Sequence, residues 1–214
     1  MEWWPALIGV AAGGFAGWAI RLLLARLRRG VALRPVVPEL VAALVTGVGV
    51  GVSWPGPLVA LVVWAGLLGV ALGAVDLVRH RLPDALTVPA IPITLLLIGV
   101  TEFAAPATGS IITALTVAVV LGAAFWALSA MVPRAMGLGD VKLVPSLALM
   151  TGYVSVAAGV LAVVIAFVLG ALVALLGLLL RRLSLGSAIP FGPFLLTGCW
   201  LVLASPGLVT VVTG

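Results

Sequence analysis

The sequence predicts an all-α membrane protein, a polytopic helical bundle of about eight transmembrane helices. Three observations carry that expectation. Apolar residues make up 64% of the 214 positions and charged residues only 8%, whereas a soluble domain carries about 25% charged residues. The mean hydropathy is +1.40. The apolar residues are also gathered into runs of the length a bilayer demands, about 20 helical residues per crossing.

Such runs lie near 5–24, 36–53, 58–77, 85–102 and 108–132, with a longer one at 141–180 and a last at 190–212. The 141–180 run is too long for one crossing and fits two, with its turn expected in "TGYVS" (151–155). Its first arm, counted from Val141, then has about a dozen residues, roughly 18 Å at 1.5 Å per residue. That is a short or partly re-entrant helix. The chain reads as a single membrane domain over 1–214, with no soluble domain, linker, low-complexity tract or evident inverted repeat.

The charges fit this plan. Arg21, Arg26, Arg28, Arg29 and Arg34 follow the first run, Arg79 and Arg81 the third, Arg134 and Lys142 the fifth, and Arg181 and Arg182 the seventh. The alternate loops, "SWPGP", "EFAAPATG" and "TGYVS", have no Lys or Arg. All the positive charge therefore falls on one membrane face, which the positive-inside rule makes cytoplasmic, with both termini outside. Clusters this short, set between apolar runs, exclude a nucleic-acid partner despite the net charge of +5, because no basic surface is available to follow a phosphate backbone. The lipid bilayer is the partner they imply.

The N-terminus, "MEWWPALIGV", lacks a basic n-region and is not expected to be a cleaved signal peptide. Trp3 and Trp4 read as an interfacial anchor. One cysteine, Cys199, is present. It can form neither an internal disulfide nor a CxxC metal site, so a buried thiol is expected.

Six acids remain. Glu2 and Glu102 fall at the outer face and are expected to be solvated. Glu39, Asp76, Asp84 and Asp140 fall at the cytoplasmic boundary. Asp76 ends the third run and Asp140 opens the sixth, each within about a turn of hydrocarbon, where an ionisable group is costly and is a functional candidate. Two carboxylates brought together share a proton, so that one serves as base toward water and the other as acid toward a carbonyl. That is aspartic peptide hydrolysis, which requires no metal or cofactor. Asp140 also fits an ordinary helix N-cap. Asp76 opposes its helix dipole unless Arg79 pairs with it.

Gly137 and Gly139 precede Asp140. Without Cβ atoms they allow unusual dihedrals and close approach of an extended substrate. Lys142 is open between a snorkelling anchor and a partner that holds Asp140 ionised. Asp84, after Pro83, reads first as an N-cap. His80 reads as solvated in a basic loop. Glu39 reads as a helix-start charge or a supporting group. "SAIPFGPFL" (187–195), with Pro190 and Gly192, reads as a helix start or as an unwound wall of the same site, where irregular backbone is tolerated.

Three of these stretches together resemble the type IV prepilin peptidase family. "GLGDVKL" (137–143) is similar to its G-x-G-D-x-K motif, "DLVRHRLPDALTVP" (76–89) to its other aspartate motif, and "PFGPFL" (190–195) to its Pro-Phe-Gly-Pro segment. The resemblance implies a bacterial cytoplasmic-membrane aspartic endopeptidase that removes the short basic leader from type IV prepilins or pseudopilins, with Asp76 and Asp140 as the catalytic pair. Asp84 matches a less constrained position. The resemblance makes 58–214 the catalytic core. Residues 1–57 then correspond to the region that carries a cysteine-containing insertion in longer members. Here that loop is "LARLRRGVALRP", with no cysteine. The short form therefore implies no zinc-binding subdomain and puts N-methyltransferase activity in doubt.

Three other functions compete. A proton- or cation-coupled transporter would use the same boundary aspartates, although transporter sites lie near the midplane. A preflagellin or presenilin-like protease would share the Gly-x-Gly-Asp loop, while "LPDALT" and "PFGP" favour the prepilin branch. A non-catalytic assembly factor would tolerate Asp→Asn at both positions.

Overall fold

The apolar runs form helices, because in hydrocarbon each backbone N–H and C=O must be satisfied within its own segment. The computed structural model describes residues 2–27, 30–79, 82–131, 137–184, 189–205 and 207–209. Among these, eight helices follow in order: α1 (Trp4–Arg26), α2 (Val37–Ser53), α3 (Val59–Arg79), α4 (Asp84–Ala104), α5 (Ile111–Met131), α6 (Leu138–Val154), α7 (Val156–Leu179) and α8 (Gly192–Ala204). No strand occurs among the described residues. Helices α1, α3, α4, α5 and α7 are each long and apolar enough to cross a membrane, and α2 and α8 are shorter apolar helices. The chain is a polytopic helical membrane protein.

One expected boundary moves. The first arm of the 141–180 run is not a dozen residues but the 17-residue α6, about 25 Å long at 1.5 Å per residue. It starts earlier because Gly137 is itself the N-cap, extended at φ −70° and ψ 139°. The Gly137 carbonyl accepts the first helical bond from the Asp140 N–H at 3.0 Å. The break between α6 and α7 falls at Ser155, at the end of the expected turn. Its side chain caps α7 by accepting from the Ala158 N–H at 3.0 Å. Helix α8 ends at Ala204 and residues 207–209 are again helical, while the expected end of the last run at 212 lies outside the described residues.

Burial divides the helices into two sets. More than half the residues of α3, α6 and α8 are buried, against less than a third of those in any other helix. Helix α8 packs against α3, α6 and α7, while α6 is also covered by α4 and α5, and α1 pairs with α2. The core therefore lies around α3, α6 and α8, with Leu61, Leu72, Leu143, Met150 and Leu203 among its fully buried side chains. Cys199 is buried in it.

Contacts at the helix ends fix which ends share a face. At one end, Arg21 of α1 pairs with Glu39 of α2, and Lys142 of α6 with Asp84 of α4. At the other, the Trp4 and Trp54 rings meet edge-on at 5.6 Å. There the Tyr153 hydroxyl donates to Glu102 Oε2 at 2.6 Å. Glu102 is thus half-buried and paired, not solvated as the sequence suggested. Its partner lies 51 positions away, a contact that hydropathy does not reveal.

Candidate active site

The two boundary aspartates sit on the two inner helices that α8 separates. Asp76 lies in the last turn of α3 and Asp140 in the first turn of α6, and both are buried, at 4% and 8% exposure. The lead-in to α8 brings Gly192 between them. A Cβ built on Gly192 would lie 2.8 Å from Asp76 Oδ2 and 3.3 Å from Asp140 Oδ1. The two oxygens are therefore at most about 6 Å apart, within the range over which carboxylates influence each other's ionisation. A side chain here would force either the Asp76 carboxylate or the start of α8 to shift.

Gly139 is needed for a similar reason. Its Cβ would meet Leu82 Cβ at 2.9 Å and the Leu82 backbone N at 3.2 Å. Leu82 Cδ1 is also 3.4 Å from the Cβ position of Gly192. Leu82, buried at 8% exposure, thus packs against Gly139 and beside Gly192 and joins the start of α4 to the starts of α6 and α8. Sequence reasoning did not single it out. Its place in the Leu-Pro-Asp stretch was the available signal.

The other candidates are distributed around this centre. Gly137 has an ordinary φ of −70°, and among the described glycines none has a positive φ. Unusual dihedrals are therefore not its contribution. A Cβ there would lie 3.4 Å from Asp140 Oδ2, so its backbone borders the acid directly. Asp140 is not the N-cap: it lies within the first turn of α6, where a negative group complements the helix dipole. Lys142 Nζ pairs with Asp84 Oδ1 at 2.8 Å on a half-exposed surface. That contact joins Lys142 to Asp84 rather than to Asp140, and Pro83 rather than Asp84 is the N-cap of α4. Glu39 accepts from Arg21 Nε at 2.7 Å and so faces α1. Pro190 stands in the irregular lead-in two residues before Gly192. His80, Arg28, Arg29, Arg81, Arg134 and Ser187 lie outside the described residues.

A helical membrane protein with two buried carboxylates held against one glycine is the class that this fold and site define. Residues 61–175 match the Type IV leader peptidase family, and the chain belongs to it. The matched segment contains Asp76, Asp84 and Asp140. The chain is also 30% identical over 158 residues to a prepilin leader peptidase/N-methyltransferase of Stutzerimonas stutzeri, covering 72% of this chain and 51% of that protein. It thus spans about half the length of the curated relative it matches. No solved structure matches.

Proposed function

We propose that the chain is an intramembrane aspartic endopeptidase that removes the short basic leader of type IV prepilins or pseudopilins. The observation that carries the reading is the approach of Asp76 and Asp140 to the same glycine, from helices far apart in sequence. Family membership supports it.

In this mechanism the two carboxyls share one proton. The ionised carboxylate takes a proton from water as its oxygen attacks the scissile carbonyl, and the protonated carboxyl donates to the carbonyl oxygen. The tetrahedral diol then collapses. The carboxyl that took the proton from water gives it to the leaving nitrogen as the C–N bond breaks, and the other carboxylate takes a proton back from the diol. The products are a carboxylic acid on the leader, which ionises, and a free amine on the pilin. Burial of both acids excludes bulk water, which strengthens these proton transfers. Asp76 and Asp140 are the catalytic residues. Gly192 lets both carboxylates approach one backbone position, Gly137 borders Asp140, and Gly139 lets Leu82 pack close beside them. The chemistry requires no cofactor.

The location of the reaction follows from the charge pattern. The end of the bundle that carries the acids also carries Arg21, Arg79 and Lys142, which supports a site at the cytoplasmic boundary of the bacterial inner membrane. A prepilin with a basic leader and a following apolar segment adopts the same orientation and presents its bond at that boundary.

The test is to incubate purified protein with a type IV prepilin from the same genome and identify the new N-terminus by mass spectrometry. The reading predicts a cut between the leader and the apolar segment. An intact prepilin, with the protein folded and embedded in lipid, contradicts it.

A further inference from the structure

Beside the acids, helices α2, α3 and α8 leave an apolar groove of about 670 Å³ between them. Val37 and Val41 line it from α2, Leu196 and Trp200 from α8, and Gly69 and Gly73 from α3. The α3 glycines set its depth. A Cβ on Gly69 would touch only Leu196, at 3.8 Å, and one on Gly73 would meet nothing within 4 Å. The α2 side is apolar and turned outward, with Val37 58% and Val41 43% exposed, so the groove opens sideways on the hydrocarbon-facing surface.

The groove runs alongside the end of α3 that carries Asp76. Gly73 precedes Asp76 by less than one helical turn, and Pro193, which also lines the groove, follows Gly192 directly. In the other direction the lining reaches Ala65, eleven residues from Asp76 and so roughly 16 Å along α3. An occupant of this length that also delivers a peptide bond to the acids has a defined form: an apolar helix whose start unravels at Gly192.

We propose that this groove receives the first turns of the substrate's apolar helix, with Gly69 and Gly73 setting how closely that helix packs. The proposal rests on the peptidase reading above and names where its substrate lies. In a bilayer, helices gain little from apolar burial alone and associate through close packing at small residues. An acyl chain gains nothing from backbone approach. Most of the α3 lining, from Ala65 to Ala74, precedes Asp76, so the order of a leader-bearing precursor (basic leader, scissile bond, apolar helix) matches the order of basic end, acid pair and the greater part of the groove. The rival occupant is a phospholipid, whose phosphate Arg34, also along the groove, would attract.

The test combines cross-linking with cleavage. In an Asp140→Asn, Cys199→Ala background, a cysteine is placed by Gly73→Cys and paired with single cysteines along the apolar segment of the prepilin. Cross-links are expected to recur every three to four substrate residues over the first turns. Separately, Gly73→Phe and Val41→Trp, which fill the groove from two helices, are each expected to lower kcat/KM by roughly tenfold or more, chiefly through KM. Val119→Trp, on the exposed face of α5, is expected to leave it unchanged. Two filled variants that cleave like the wild type overturn the proposal while the peptidase reading stands. So does a photoactivatable phospholipid that labels position 73 equally with and without prepilin. A wild-type enzyme that leaves prepilin intact overturns the peptidase reading and this proposal with it.

Discussion

Gly192 is the residue on which the geometry of the acids depends. Its missing side chain is what allows α8 to enter between α3 and α6 with Asp76 Oδ2 only 2.8 Å from the Cβ position. Alanine there forces either the carboxylate or the helix start to shift by tenths of an ångström. Small misplacements of reacting groups cost up to about 100-fold in rate. Gly192→Ala is therefore expected to lower kcat more than tenfold while the protein still inserts and folds, as measured by cleavage rate and thermal unfolding in the same detergent. A variant with wild-type kcat would mean that the acids have more room than the structure gives them. Asp84 provides the contrast. Its bridge to Lys142 is half-exposed, and exposed pairs contribute about 1 kcal/mol or less. Asp84→Asn should keep most activity and lower the unfolding midpoint only slightly; loss of cleavage would move Asp84 into the catalytic set.

At the scale of the helices, the far end of the bundle is held by a polar contact. The Tyr153 hydroxyl donates to Glu102, and the Tyr153 carbonyl accepts from the Ser110 N–H at 2.9 Å, so the ends of α4 and α6 and the start of α5 meet there. Tyr153→Phe removes the hydroxyl from a fully buried position. It is expected to lower Tm while leaving cleavage within roughly twofold, because the site is at the opposite end of α6. A large loss of activity without loss of Tm would contradict that separation. This contact also marks what the sequence could carry. The apolar runs were legible because bilayer thickness fixes helix length, and the acids because charge at membrane depth is rare. Tyr153–Glu102 and Lys142–Asp84 were not legible, since they join residues 51 and 58 positions apart and leave no periodic trace. The start of α6 was hidden differently. The helix begins inside the glycine motif, at Leu138, so a ruler based on hydropathy placed it late. The approach of Gly192 to both acids was equally out of reach, because it arises from α8 packing between two helices rather than from any property of "PFGP" alone.

Across the whole molecule, the account makes the membrane the ruler for cleavage. The acids are fixed at the ends of α3 and α6, so the depth of the scissile bond matters more than the length of the leader. Moving that bond five residues into the apolar segment shifts it by roughly 7 Å and should nearly eliminate cutting. Five polar residues added at the leader's N-terminus should be tolerated. Sequencing the product N-termini from both substrates checks this; the opposite pattern would show that the enzyme measures the leader. Because two carboxylates sharing a proton need no ion, cleavage should also survive chelators, and inactivation by chelation with recovery on adding a divalent cation would contradict the mechanism.

The central claim is that Asp76 and Asp140 act as one unit. Residues that act as a unit are strongly non-additive, so that losing either costs nearly as much as losing both. The direct measurement is the single-turnover cleavage rate of one prepilin by wild-type protein, Asp76→Asn, Asp140→Asn and the double variant, all folded to the same unfolding midpoint within error. The account predicts that both single variants fall to the background rate of the double variant. Either single variant cleaving at a substantial fraction of the wild-type rate would contradict it.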